Sequence, residues 1–215
     1  MESTFILIRH GESLANLEKR FAGSWDIPLT DKGKRQAKLT AEYVAKNFTV
    51  DKIYSSDLQR AYYTAEEVSR LTGKEIISST HLREIIAGDW ERKSFDELQK
   101  LFPISYGSTW LKDIGNAVCD GGEAVKDVGE RVYSFLEQIA KENLGKTIVV
   151  ATHATPIRTA LCKMANKAVE NAKEIPWVSN ASVTVVKYSD GNWNTTVFSY
   201  DEHLSNEKTV FPANV

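Results

Sequence analysis

The feature that most constrains the fold of this chain is a pair of apolar runs that each end in a histidine. Residues 5–8 lead into Arg9 and His10, and residues 147–152 lead into His153. Continuous apolar runs of this length are typical of strands that are covered on both faces, as in parallel sheets. Neighbouring parallel strands end at the same edge of a sheet, so we expect the two histidines to lie at that edge together.

Helical and extended patterns alternate along the rest of the chain. Apolar residues spaced three or four apart predict helices over residues 31–47 and 123–142. Residues 182–188 and 193–200 have the pattern of two strands joined as a hairpin. This alternation predicts an α/β fold, namely a three-layer α/β/α sandwich with a mostly parallel central sheet.

Charge and cysteine usage argue against several kinds of partner. The net charge is −2 with acids and bases interspersed, so we expect no nucleic-acid partner. Cys119 and Cys162 match no metal-binding spacing, which favours free thiols in a reducing cytoplasm. No apolar run approaches the roughly 18–20 residues that span a bilayer, and residues 5–8 are too short for a signal sequence. We therefore expect a cytoplasmic protein with no membrane partner.

Arginines converge on the predicted histidine edge. Arg60 begins a helix after a short predicted strand, so we expect it to lie near Arg9 and the two imidazoles. Guanidinium groups donate paired bonds to phosphate oxygens, and helix N-termini favour anions, so this group suits a tetrahedral anion. A lone histidine is more often structural, and Arg60 alone could be a solvated charge, but the combination favours a phosphate site. His81 and His203 lack such surroundings and are expected at the surface or in loops.

Five stretches stand out in chain order. They are residues 9–13 (RHGES) with Asn16 and residues 20–23, residues 55–65, residues 82–91, residues 121–123, and residues 150–153. These motifs resemble those of the histidine phosphatase superfamily, in its phosphoglycerate-mutase-like branch. The resemblance covers residues 5 to about 165, and it implies one histidine phosphatase domain over residues 1–215 with a lid-like insertion at about residues 85–122.

The resemblance implies a covalent mechanism with five catalytic residues. His10 would attack phosphorus as a neutral imidazole, giving a phosphohistidine that water later hydrolyses. Arg9, Arg60 and a protonated His153 would neutralise the charge on the transferring oxygens. Glu84 would protonate the leaving oxygen and then deprotonate the attacking water.

The resemblance also implies a set of substrate-binding residues. Asn16 and the backbone N–H of Ala154 would complete the phosphate cradle, and Ser13, Gly23 and Ser24 are further members of this set. No metal and no other cofactor is implied, because the arginines supply the positive charge. The expected partner is a small-molecule phosphate ester, and a homodimer stays open.

Departures from the family pattern favour hydrolysis over phosphate transfer between two sites. The mutases carry Glu-Arg-His-Tyr-Gly where residues 84–88 of this chain read Glu-Ile-Ile-Ala-Gly, and their lid grips a second phosphate with paired arginines. Residues 90–122 here offer dispersed basic side chains: Arg92, Lys93, Lys100 and Lys112. We expect a metal-independent phosphatase of small-molecule phosphomonoesters. The alternatives are a cofactor-dependent phosphoglycerate mutase and a catalytically inactive module that binds a phospho-ligand.

Overall fold

The centre of the molecule is a six-stranded sheet, as a computed structural model that describes residues 1–209 shows. Its strands are β1 (Ser3–Arg9), β2 (Lys52–Ser55), β3 (Ile76–Ser78), β4 (Thr147–Thr152), β5 (Val183–Ser189) and β6 (Asn192–Tyr200). They lie in the order β3-β2-β4-β1-β5-β6. The first four in this order are mutually parallel, and β5 runs antiparallel to both of its neighbours. The expected mostly parallel sheet is confirmed.

Helices cover both faces of the sheet. They are α1 (Leu14–Leu17), α2 (Asp31–Asn47), α3 (Gln59–Thr72), α4 (Phe95–Leu101), α5 (Val125–Glu142) and α6 (Ala154–Met164). One core cluster joins α2 and α3 to the sheet, and a second joins α5 and α6 to the opposite face. This arrangement confirms the three-layer α/β/α sandwich. None of the helices over residues 1–209 has the length and apolar character needed to cross a membrane.

The central strand β1 shows why its sequence is apolar throughout. Phe5 and Leu7 belong to the cluster under α5 and α6, whereas Ile6 and Ile8 belong to the cluster under α2 and α3. All four side chains are buried. Successive side chains of a strand point to opposite faces, so a strand between two helical layers is apolar at every position.

Strand register decides what meets at the carboxyl edge of the sheet. Arg9 at the end of β1 pairs with Thr152 at the end of β4, and the backbone N–H of His10 donates to Thr152 O at 3.0 Å. Ser55 at the end of β2 pairs with Ala151, the residue before Thr152. The residues that follow these three strands therefore meet at one edge.

Parts of the chain without a clear sequence period contain short helices. Residues 103–122, which follow no pattern, form a π-helix over Pro103–Trp110 and a 3₁₀ turn over Ile114–Asn116. Residues 210–215, the end of the predicted domain, lie outside the described residues. The extent of the domain and the lid-like character of residues 85–122 remain predictions.

The two histidines that lack a motif have different surroundings. His81 is exposed and its ring stacks on Phe135, as expected for a surface residue. His203 corrects our expectation, because it is half-buried and packs against the rings of Tyr43 and Tyr200, which also contact each other. Its Nε2 lies 2.9 Å from Thr40 Oγ1, so it belongs to the packing between α2 and the C-terminal region.

Candidate active site

A cleft of about 1040 Å³ opens at the carboxyl edge of the sheet. Four of the five predicted catalytic side chains line it, namely Arg9, His10, Arg60 and Glu84. The fifth, His153, is fully buried behind His10, and the two ring centroids are 5.1 Å apart. The structure thus brings together residues from positions 9 to 153 of the chain.

His10 has the geometry of a nucleophile. Its Nδ1 lies 2.7 Å from Gly11 O, so Nδ1 holds the proton and Nε2 keeps a free lone pair. The pKa of His10 is well below its usual value of 6.5, because the ring is buried and lies near the positive charges of Arg60 and Arg9. A neutral imidazole with an unprotonated Nε2 is the form that can attack phosphorus.

His153 contacts the residue that directly follows strand β2. Its Nε2 lies 2.9 Å from Ser56 Oγ, while Nδ1 is buried without a hydrogen bond to any described residue. Burial, followed by the charge of Arg60, holds the pKa of His153 well below 6.5. These surroundings favour the neutral ring, whereas the family resemblance implied a protonated one.

The two arginines are buried charges that anchor backbone around the cleft. Arg9 Nη1 donates to Val178 O at 2.5 Å. Arg60 donates to Gly23 O at 2.8 Å and to Trp25 O at 2.9 Å, which ties the loop after α1 to helix α3. Burial lowers the pKa of each arginine to about 10, so both remain charged at neutral pH. Two fixed positive charges therefore face the nucleophile.

Glu84 places a carboxylate on the side of the cleft formed by helix α6. Its Oε2 accepts from the backbone N–H of Thr155 at 3.4 Å, and its Oε1 accepts from the N–H of Ile85 at 2.9 Å. The negative charge of Glu84 acts to raise the pKa values of Arg9 and Arg60, against the larger effect of burial. The carboxylate thus lies within electrostatic reach of both buried arginines.

The predicted substrate-binding residues Ser13 and Asn16 form one local unit. Ser13 caps α1, and its N–H and Oγ both donate to Asn16 Oδ1, at 3.0 and 2.9 Å. Asn180 Nδ2 also donates to Asn16 Oδ1, at 3.2 Å. Because three donors occupy Oδ1, the Nδ2 group of Asn16 is the part of this side chain available to a ligand. Ser13, Asn16 and Ala154 all line the cleft.

The two donors of Ser24 are directed at an acidic side chain of another segment. Its N–H and its Oγ both donate to Glu91 Oε1, at 2.9 and 2.5 Å, and Ser24 is absent from the described residues that line the cleft. Gly23 does line the cleft, and its φ of +50° suits glycine. A Cβ at Gly23 would lie 2.5 Å from the Cβ of Ala87. This loop is therefore closely fitted to the segment that follows Glu84.

The sequence analysis missed several residues of the cleft wall. Arg158 lies four residues after Ala154 on α6, and its guanidinium lies 4.3 Å from the ring centroid of Trp177. Arg158 also donates from Nε to Ile175 O, which fixes the segment before Trp177. The i, i+4 spacing from Ala154 was a usable signal for Arg158. Trp177 had none, because its segment carries no motif.

No group of three or more His, Cys, Asp or Glu side chains over residues 1–209 is arranged to hold a metal ion. Both cysteines are buried and free. Arg9, Arg60 and Glu84 line the cleft together with further charged residues, namely Glu12, Lys19, Arg20, Lys112, Arg158 and Lys173.

Known proteins resemble this chain in sequence and in fold. Phosphoglycerate mutase-like protein 4 of Arabidopsis thaliana is 32% identical over 208 residues, covering 96% of this chain and 88% of that protein. Phosphoserine phosphatase 1 of Hydrogenobacter thermophilus is 35% identical over 159 residues, covering 74% of each protein. The solved structure of Bacillus stearothermophilus YhfR superposes with a TM-score of 0.87 at 28% identity, covering 94% of this chain and 100% of the other.

The family comparison covers nearly the whole described chain. The sequence pattern of the histidine phosphatase superfamily, branch 1, matches residues 5–201, a range that includes β1, the Arg60 helix, Glu84 and His153. The chain therefore belongs to the histidine phosphatase superfamily, branch 1.

Proposed function

We propose that this chain, a phosphoric monoester hydrolase, hydrolyses small-molecule phosphomonoesters without a metal, through a phosphohistidine on His10. The observation that carries the proposal is the state of His10. Its Nδ1 is bonded to Gly11 O, its pKa is well below 6.5 because of burial, and it lies near two charged arginines. A neutral nucleophile beside fixed positive charge is suited to attack on a phosphate dianion.

In the first step the substrate phosphoryl group moves to His10. The Nε2 lone pair forms a bond to phosphorus while the bond from phosphorus to the ester oxygen breaks. The proton of a protonated Glu84 carboxyl goes to that oxygen, so the product leaves as a neutral alcohol. Arg9 and Arg60 hold the three non-bridging oxygens of the phosphoryl group, and the N-terminus of α6 adds its backbone dipole.

In the second step water regenerates the enzyme. Glu84, now ionised, takes a proton from water as the water oxygen bonds to phosphorus and the bond to Nε2 breaks. Inorganic phosphate leaves, and His10 returns to its neutral form. The negative charge of the bound phosphate favours protonation of His153, which its own surroundings oppose.

The basic residues of the predicted lid support hydrolysis over mutase activity. Of the four dispersed side chains, Lys112 alone is among the described residues that line the cleft. Arg92 lies 5.0 Å from the ring centroid of Trp25, and Lys93 donates to Asp89 O. A second phosphate would therefore meet no pair of arginines in this part of the cleft. The Hydrogenobacter relative, a phosphoserine phosphatase, makes phosphoserine a natural first substrate to test.

The test compares phosphate release with phosphoglycerate interconversion. We expect the wild-type protein to release phosphate from members of a panel of metabolite phosphates, at the same rate with and without EDTA. Conversion of 3- to 2-phosphoglycerate that depends on added bisphosphate and outpaces hydrolysis would establish the mutase instead. Loss of activity in EDTA that is restored by a divalent cation would contradict metal independence. Binding of phosphate esters with no release from any of them would indicate an inactive binding module.

A further inference from the structure

One arginine of helix α5 holds the backbone of the acid loop, which we define as residues 81–86. Arg131 Nη1 donates to His81 O and to Arg83 O, both at 2.8 Å. Arg131 Nη2 donates to Glu84 O at 3.0 Å. The guanidinium therefore binds three carbonyl oxygens of the acid loop, including that of Glu84 itself.

A carboxylate completes this arrangement from the other side. Arg131 Nε donates to Glu123 Oε1 at 2.8 Å, and Nη2 donates to Glu123 Oε2 at 3.1 Å. All five N–H donors of Arg131 are thus engaged. Glu123 also exchanges two bonds with Ile86, because Oε2 accepts from the N–H of Ile86 at 3.2 Å and the N–H of Glu123 donates to Ile86 O at 2.7 Å.

These contacts fix the main chain on both sides of Glu84. A further bond, from Thr152 Oγ1 to Leu82 O at 2.7 Å, ties the same loop to the end of β4. The side chain of Arg131 is 21% exposed and that of Glu123 is 13% exposed, so solvent screens their ion pair only in part. With its backbone fixed, Glu84 can vary the position of its carboxyl group only through its own side-chain torsions.

We propose that Arg131, supported by Glu123, is a positioning residue that aims the Glu84 carboxyl group at the leaving oxygen of the substrate. This inference rests on the proposed function, because it assigns Arg131 to the proton-transfer half of that mechanism. Arg131 lies outside the set of described residues that line the cleft, so it acts through Glu84 and not on the phosphate. A misplacement of about 1 Å in a reacting group can cost on the order of 100-fold in rate.

The test uses the chemistry of the leaving group. Serine is a poor leaving group and needs a proton from Glu84, whereas 2,4-dinitrophenolate leaves without one. In Arg131→Lys, whose ammonium has three donors in place of five, we expect kcat/KM for phosphoserine, or for the alkyl phosphate that the wild type hydrolyses best, to fall about 10- to 100-fold. For 2,4-dinitrophenyl phosphate we expect a change below about 3-fold.

The ratio kcat/KM is the right quantity because it includes only the steps up to formation of phosphohistidine. The later role of Glu84 as a base therefore does not enter it. That later role predicts a second signature, since Arg131→Lys should release a burst of dinitrophenolate before slow hydrolysis of the phosphoenzyme.

Two further variants keep the test decisive. Glu123→Gln retains an acceptor for Ile86 but loses the charge opposite Arg131, so we expect the same selective loss with a smaller size. Arg70→Lys is the matched control, since Arg70 pairs with Glu67 on α3 and its side chain is 59% exposed. We expect Arg70→Lys to leave kcat/KM for both substrates unchanged. If Arg131→Lys does not fold, as judged by circular dichroism, Glu123→Gln decides the question.

Equal losses for both substrates in Arg131→Lys and Glu123→Gln would overturn the proposal, because a general loosening of the fold affects every substrate alike. Unchanged kinetics in both variants would overturn it too. Failure of the proposed function looks different, since the wild-type protein would then form no phosphohistidine with either substrate.

Discussion

His10 and His153 lie at the ends of adjacent parallel strands, with ring centroids 5.1 Å apart and ring planes inclined by 61°. The register of β1 with β4 produces this contact, because each histidine directly follows one member of the Arg9–Thr152 pair. Both rings are buried near Arg60, and both pKa values are held well below 6.5 as a result. Both rings are therefore uncharged at neutral pH in the absence of a bound anion.

This pair predicts a pH dependence of stability. Between the pKa values of the folded rings and 6.5, the unfolded chain binds protons that the folded chain does not, so the free energy of unfolding decreases as pH falls below 6.5. Each histidine contributes at most about 1.4 kcal/mol per pH unit. We expect the free energy of unfolding, measured in urea from about pH 5 to about pH 7, to change less with pH in His10→Asn and in His153→Asn than in the wild type. Equal slopes in all three proteins would contradict the burial of neutral rings.

Arg60→Lys should lower kcat/KM by about 100- to 1000-fold. A lysine cannot keep the bonds to Gly23 O and Trp25 O while also presenting a planar pair of donors to phosphate. Steady-state kinetics on the best substrate measure the effect. Arg70→Lys, on the same helix, is the control and should stay near the wild-type rate. A loss below about 3-fold in Arg60→Lys would remove Arg60 from the phosphate site.

The close approach of Gly88 to residues 120–121 predicts a stability difference between two glycines with positive φ. A Cβ at Gly88 would lie 2.4 Å from Asp120 O, whereas a Cβ at Gly73 meets nothing within 4 Å. Gly73→Ala should cost about 1 kcal/mol from backbone strain alone. Gly88→Ala should cost about 3 kcal/mol or more, because the backbone must also move apart. Urea unfolding measures the free-energy cost of each substitution. Equal costs would mean that Gly88 does not approach Asp120 closely in solution.

Substitutions at Asn16 and Ser24 should distinguish a residue that binds phosphate from one that supports the neighbouring loop. Asn16→Ala removes the Nδ2 donor available to phosphate, and we expect kcat/KM to fall about 10-fold. Ser24→Ala leaves the backbone bond to Glu91 in place, so we expect a change below about 3-fold. Measurement of kcat/KM with one substrate is enough to compare the two variants. A larger loss in Ser24→Ala than in Asn16→Ala would contradict this assignment and indicate that Ser24 binds the phosphate.

The strand layer and the histidine edge were predictable because both depend on short-range patterns. The apolar run before His10 is continuous only because both faces of β1 are covered, and the same is true of the run before His153. The bond from Ser24 to Glu91 could not be predicted, because Glu91 comes from a different segment of the chain. Position in a motif shows that a residue is near the site but not which way its donors point.

Other features could not be predicted because they depend on contacts between distant segments. The helical period places Arg131 on a polar face of α5, and that face would be solvated if the acid loop did not cover it. Residues 103–110 form a π-helix, whose period matches neither the helical nor the strand pattern. Trp177 reaches the cleft only because Arg158 holds the segment before it.

The central claim is that phosphate is carried on His10, and rapid quenching with a radiolabelled phosphomonoester tests it most directly. The protein is mixed with substrate, quenched at alkaline pH, digested and mapped by mass spectrometry. We predict one acid-labile phosphate on the peptide that contains His10, and no label and no turnover in His10→Ala. His81→Asn, which alters an exposed histidine, should label as the wild type does. Label on another residue, or turnover that persists in His10→Ala, would contradict the account.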